Sequence, residues 1–282
     1  MTLSFRRRAV NALMLTLTGV CTTLVAGILL VILGYLAWNG ATSLNLNFFT
    51  KLPAPVGEAG GGMANAILGS GKVLLVAMLL GVPIGFLGGV YLAEFGAGMF
   101  SGVVRYVTDL LNGVPSIVIG IFAYALVVQP MKRHSTFAGG VALGIMMIPI
   151  ALRTTEEFLR AVPVSLREGA MALGASKSRT IFTIVIPAAK SGILSGLMLN
   201  LARVAGETAP LLFTAFGNTF WSPGWLNETA TLPQMIYNYA ISAYADQNRQ
   251  AWAAGFVLLV LVLGVNAAAR FAIGRTPARG RS

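Results

Sequence analysis

Residues Pro163–Pro187 read PVSLREGAMALGASKSRTIFTIVIP, a polar interval between two long apolar runs. Ser165 is followed three residues later by Glu168, a spacing that suits a capped helix start. The body Gly169, Ala170, Met171, Ala172 and Leu173 is short and mostly small, and Gly174 is a natural stop. Pro187 is placed to open the next helix, where its missing N–H costs least. This predicts a short helix outside the membrane with fixed ends. So short a helix is not stable alone in water. It either docks on another protein surface or serves as an interfacial linker, and the residue pattern admits both.

Working outward, the chain is 56% hydrophobic and only 10% charged, against about 25% charged in soluble domains. So little charge does not cover a water-facing surface, whereas a bilayer needs none. Apolar stretches long enough to span a bilayer lie near 12–37, 64–92, 104–129, 138–160, 188–215 and 250–271. Helices are expected because lipid offers no partner to backbone polar groups. The first stretch follows Arg6, Arg7 and Arg8 but lacks a small-residue cleavage site, so it reads as an uncleaved span.

The net charge of +11 has its explanation in the loops. With the N-terminus inside, the inner side receives the arginines 6–8, Arg105, Arg160, Arg167, Lys177, Arg179, Lys190 and Arg270, with Arg275, Arg279 and Arg281 in the tail. Lys51, Lys72, Lys132, Arg133 and Arg249 fall outside. This bias places both termini in the cytoplasm. No basic–aromatic platform for nucleic acid is present. The organisation is then a cytoplasmic tail 1–11, a first span 12–37, an extracytoplasmic loop 38–63, a core 64–271 that includes the loop 163–187, and a basic tail 272–282.

The outer loop around 39–63, with Gly57, Gly60, Gly61 and Gly62, has the composition of a mobile segment. The loop 216–249 carries Trp221, Trp225, Tyr237, Tyr239 and Tyr244 and is either an interfacial belt or a docking surface. His134 reads as a solvated loop histidine rather than a metal ligand, and Cys21, the one cysteine, forms no internal disulfide. The string Gly69–Ser70–Gly71–Lys72 is not a phosphate loop: Ala66 and Val73 stand where Gly and Ser or Thr are needed. No nucleophile with a base, histidine pair or metal-ligand cluster is evident, so neither catalytic residues nor a metal site are expected.

Ionisable residues within spans are functional candidates. Arg153 lies roughly 22 Å along the fourth span and Arg203 at a similar depth in the fifth, at 1.5 Å per residue. Glu207 follows Arg203 by four residues, with Thr208 beside it. Two readings stand. Arg203 and Glu207 form a self-neutralising pair on one helix face, or the arginines present guanidinium forks to an oxyanion in transit. Asp109, Glu156, Glu157 and Arg160 lie nearer the inner ends and read as interfacial. Gly113 and Pro115 should kink the third span, for a pathway or merely for packing.

A resemblance bears on these choices. Glu168–Gly169–Ala170, three residues, Gly174, nine residues and Ile184–Val185–Ile186–Pro187 resemble the EAA loop of ABC importer permeases, with Gly169 for the first Ala and Ile186 for Leu. Arg203–Val204–Ala205–Gly206–Glu207–Thr208–Ala209–Pro210–Leu211–Leu212 is similar to the R-x-x-G-E-T-A-P-L-L stretch of phosphate importer permeases of PstA type. Leu152–Glu157 ahead of Val162–Pro163, and Asn112–Ser116, resemble further stretches of that family. The likeness covers about 65 to 215. It implies an all-α, MetI-like bundle of six spans in which Glu168, Gly169, Ala170, Gly174 and Pro187 belong to a coupling helix seated in a cleft of a separate ATPase. It implies two ATPase copies carrying ATP and magnesium, a second permease of PstC type and an extracytoplasmic phosphate-binding protein. No cofactor would be held by this chain. Arg153, Arg203, Glu207 and Thr208 would line a phosphate pathway. The alternatives are a permease for sulfate or molybdate, or a carrier driven by an ion gradient.

Overall fold

A computed structural model describes residues 2–58 and 60–274. Among them the chain is helical, with isolated bridges Pro53–Gly61 and Phe216–Thr229 in place of strands. The C-terminal arginines at 275, 279 and 281 lie outside the described residues. The first helix α1 runs Thr2–Ser43 and absorbs the expected cytoplasmic tail. It is exposed along most of its length and meets the bundle near its far end, where Tyr35 packs edge-on to Trp252.

The centre is a pair of long helices, α3 (Ala64–Glu94) and α7 (Thr136–Arg160), running side by side in the same direction. Gly81, Gly85 and Gly89 recur every fourth residue on α3. A Cβ at each would stand 2.6, 2.5 and 2.5 Å from the Cβ of Met147, Ala151 and Thr155. Gly140 of α7 answers against Val76. Small residues at this spacing let two backbones approach closely, the usual basis of helix association in lipid. This seam is a sequence pattern the reading above passed over.

Two of the expected spans are not continuous. The third consists of α4 (Met99–Gly113) and a segment from α5 (Ser116–Ala123) to α6 (Gln129–Met131), bent by 104° at Val114–Pro115. Proline removes a helix donor and its ring pushes the preceding residue out of the helical region, here Val114 at ψ 130°. The fifth begins earlier and ends earlier than 188–215. It runs Lys177–Ala205, through α9 (Lys177–Thr180) and α10 (Ile186–Ala205). The short α11 (Ala209–Thr214) follows after a break at Gly206–Thr208. Gly120 of α5 lies against Pro210 of α11, so the two broken segments touch.

Two π turns, Tyr124–Val128 and Ile181–Val185, each end two residues before a proline, Pro130 and Pro187. Proline has no N–H for the carbonyl four residues back and collides with it. A widened turn accommodates that carbonyl without stopping the helix. Pro187 therefore sits in the first turn of α10 inside a helix that has already begun at Lys177.

The loop 39–63 is more ordered than its glycines imply. It holds the short α2 (Leu46–Thr50), capped by Asn45, and buries Phe48 and Met63. Gly61 is at φ +77°, a conformation that glycine reaches at no steric cost. The segment packs on α12 (Leu232–Ala240) and α13 (Ala245–Gly274) through Leu232, Met235, Tyr239 and Ala254. Burial of Tyr239 raises its phenol above the usual pKa. The segment 216–231 folds back onto the bundle. Lys72 donates to the Ser222 carbonyl at 3.0 Å, and the Leu232 N–H donates to the Ser70 hydroxyl at 2.8 Å. Trp221, Trp225, Tyr237 and Tyr244 remain exposed. His134 is half-buried, stacked on Phe216 at 4.6 Å.

Candidate functional site

The helix α8 (Val164–Ala172) stands where the quoted stretch predicts one, but its start differs. Pro163 is the N-cap and no side chain caps it, so Ser165 lies inside the first turn and the expected capping box does not form. Proline at φ −55° and ψ 137° launches the helix two residues sooner than Ser165 would. The end is as read. Gly174 takes φ +84°, its N–H bonds to the Met171 carbonyl at 2.9 Å, and the Ala175 N–H bonds to the Ala170 carbonyl at 3.1 Å, a Schellman closure. Only Ala170 of this helix is buried. Val164, Leu166, Glu168 and Met171 are exposed, and Leu173 is 91% exposed.

Both ends of the α8 segment are fastened to the end of α3. Arg167 donates to Glu94 at 2.9 Å and to the Leu159 carbonyl at 2.7 Å. Lys177 donates to the Glu94 carbonyl at 2.7 Å and sits 4.3 Å from the Phe95 ring centroid. A short helix pinned this way moves with α3 instead of fraying.

Beside it lies a charge network that the sequence reading did not assemble. Glu156 of α7 is 3% exposed at its side chain and is shared by three guanidiniums: Arg105 at 2.7 Å, Arg160 at 3.1 Å and Arg153 at 3.4 Å. Asp109 of α4 takes the other edge of Arg153 with both oxygens. Arg105 and Arg160 also donate to the Leu92 carbonyl, an orphan acceptor at the end of α3. Glu156 and Asp109 are thus structural partners of Arg153.

Arg203 is placed differently. It is exposed on the last turn of α10, and no ion pair joins it to Glu207 among the described residues. The reason is the helix end. Gly206 and Glu207 turn their N–H groups back to Arg203 and Val204, so Glu207 has left the helix face that a four-residue spacing assumes. Glu207 and Thr208 are half-buried in the break, where Thr208 receives the first bonds of α11. Gly113 and Pro115 flank the other break.

Arg153 and Arg203 are not brought together. The helices α7 and α10 run antiparallel, with Gly196 against Thr154 and Asn200 donating to the Met147 carbonyl at 3.0 Å. Arg153 therefore lies near the level of Gly196, about 10 Å along the axis from Arg203. Between them Asn200 is buried with its Oδ1 unpartnered among the described residues, a mid-span polar side chain that the sequence reading missed.

Residues 81–276 match the family described as binding-protein-dependent transport system inner membrane component. The chain is 45% identical to the phosphate transport system permease protein PstA of Yersinia pestis over 82% of its length and 79% of that protein. It is 43% identical to PstA of Haemophilus influenzae over 92% of each chain. Its fold is similar to a chain of the MetNI methionine ABC transporter in an inward-facing conformation, with TM-score 0.54 and 18% identity over 76% of this chain and 94% of that one. A chain of a bacterial ABC transporter that imports alginate aligns with TM-score 0.53 and 14% identity, over 75% of this chain and 79% of that one.

Proposed function

This chain belongs to the binding-protein-dependent transport system inner membrane components, among the phosphate transport permeases of PstA type, and from that premise we propose how its parts work. It is a multi-pass permease of an ATP-driven importer that carries inorganic phosphate across the cytoplasmic membrane. The observation that carries the reading is the likeness to PstA proteins across most of the chain, together with a pinned α8 that presents Glu168, Gly169 and the apolar Met171 and Leu173 outward.

In this reading α8 lies on the cytoplasmic side with both termini and seats in a cleft of a separate ATPase. Two ATPase copies bind ATP and magnesium, one for this chain and one for a second permease of PstC type. An extracytoplasmic phosphate-binding protein delivers the anion at the opposite end, where Trp221, Trp225, Tyr237 and Tyr244 are exposed. Displacement of α8 passes through Glu94 and Arg167 into α3, and through the glycine seam into α7. Arg203 and Thr208 face the anion near the break, with Glu207 moderating the field so that release stays fast. The chain itself makes and breaks no covalent bond.

The test is uptake of labelled phosphate into vesicles holding the complete complex. Uptake should require ATP inside, need no ion gradient, and resist excess sulfate or molybdate. Preferential uptake of either anion would replace phosphate in this reading. Uptake that follows an ion gradient without ATP would overturn it. Glu168→Lys should lower coupled ATP hydrolysis and ATPase retention, and normal coupling in that variant would remove the docking role of α8.

A further inference from the structure

The two ion pairs that fasten α4 to α7 have opposite polarity one turn apart. Arg105 of α4 meets Glu156 of α7, and Asp109 of α4 meets Arg153 of α7. Their surroundings differ. Glu156 is 3% exposed, and Arg105 is tied further to the Leu92 and Gly96 carbonyls. Asp109 is 54% exposed and Arg153 is 30% exposed, so this pair sits at an open edge. Both residues lie in helices of candidate spans, where exposed charge is costly against lipid, which assigns that edge to a polar passage or a second chain.

Asp109 offers its two oxygens to the Nε and Nη2 edge of Arg153. This is the two-point contact by which a guanidinium takes a phosphate or sulfate. We propose that Asp109 is a tethered competitor for the transported oxyanion, holding the Arg153 fork when no anion is there and yielding it in transit. The inference rests on the permease reading above and adds Asp109 as a residue that sets how tightly the pathway holds its cargo. The helix α4 is suited to the exchange. Of its residues only Ser101 and Thr108 are buried, and it ends at the 104° bend just past Asp109. The Arg105–Glu156 pair remains as a pivot while Asp109 swings away. Its return displaces the anion, so Arg153 never becomes a trap.

The experiment titrates labelled inorganic phosphate onto the purified assembly of this chain, its ATPase and its second permease, in nanodiscs without the binding protein. Asp109→Asn, nearly the same shape, should tighten binding about two- to fivefold, the worth of a partly exposed ion pair. The double variant Asp109→Asn with Arg153→Gln should lose that gain. If Asp109→Asn does not assemble, Asp109→Ser is read in the same titration with the same expectation. Binding that is unchanged or weaker in an assembly that elutes and hydrolyses ATP like the parent overturns the proposal, as does a gain that survives Arg153→Gln. A parallel titration with sulfate separates this outcome from the functional reading. An Asp109-dependent gain for sulfate, in a complex whose parent imports no phosphate, refutes phosphate as cargo and leaves the competitor role standing.

Discussion

Arg153 and Arg203 are the same side chain in neighbouring antiparallel helices, yet they occupy opposite kinds of site. Arg153 is gripped by Asp109 on one edge and Glu156 on another. Arg203, about 10 Å away along the helices, is exposed on the last turn of its helix with no ion pair among the described residues. A guanidinium within a membrane protein needs anionic or polar partners. Where the chain supplies them, an anion has to compete with a carboxylate for the arginine. Where it does not, the partner must come from outside, either as cargo or from another chain. Depth within a span therefore does not tell how an arginine would meet an anion. The inventory of partners does.

That contrast can be broken by experiment. The largest effect is expected at Arg203. Arg203→Ala should reduce phosphate uptake by about a hundredfold, the scale of losing one charge-stabilising donor in a closed site, while the complex assembles normally on size-exclusion chromatography. Uptake at the parental rate would strip Arg203 of its role. A middle-sized effect is expected from removing one carboxylate in each neighbourhood. Glu156→Gln leaves three guanidiniums short of a buried partner and should destabilise the complex by about 3–5 kcal/mol, read as a lowered melting temperature. Glu207→Gln should shift it little. Equal shifts would mean that the two sites do not differ as described. The smallest effect belongs to α8. Gly174→Ala places a Cβ on a backbone at φ +84° and should cost about 1–2 kcal/mol, seen as a modest fall in ATP hydrolysis stimulated by the binding protein. An unaffected rate would show that the closure at Gly174 is dispensable.

Much of the architecture was legible because a bilayer imposes length and apolarity on each span. The runs near 64–92 and 138–160 emerge as α3 and α7 with small changes at their ends. The break at Gly113–Pro115 was legible as a kink, since proline acts on its immediate neighbours, but neither its 104° angle nor the contact of α5 with Pro210 of α11 is marked in the local sequence. The break at Gly206–Thr208 was hidden. Gly-Glu-Thr inside an apolar run passes for a continued helix, and the Arg203–Glu207 spacing then misleads. The capping box failed for a local reason, because Pro163 preceded Ser165 and set the helix start itself. The tethering of α8 was beyond reach for a different reason. Arg167 and Lys177 meet Glu94 across 73 and 83 residues of chain, and nothing in the local pattern points there. The same holds for Arg105 and Glu156, which are 51 residues apart.

The two π turns ahead of Pro130 and Pro187 carry a consequence for how this sequence can drift. Each holds one residue more than a regular turn would, and that surplus is what lets the helix pass its proline. Deleting a single position within 181–185 would restore ordinary winding and drive the ring of Pro187 into the carbonyl behind it. Replacing Pro187 alone would leave a bulge with nothing to relieve it. Insertion and imino acid are thus inherited as a unit, and a viable descendant sheds both or neither. The deletion would also turn the rest of α10, Arg203 included, by about a quarter of a circle relative to α8.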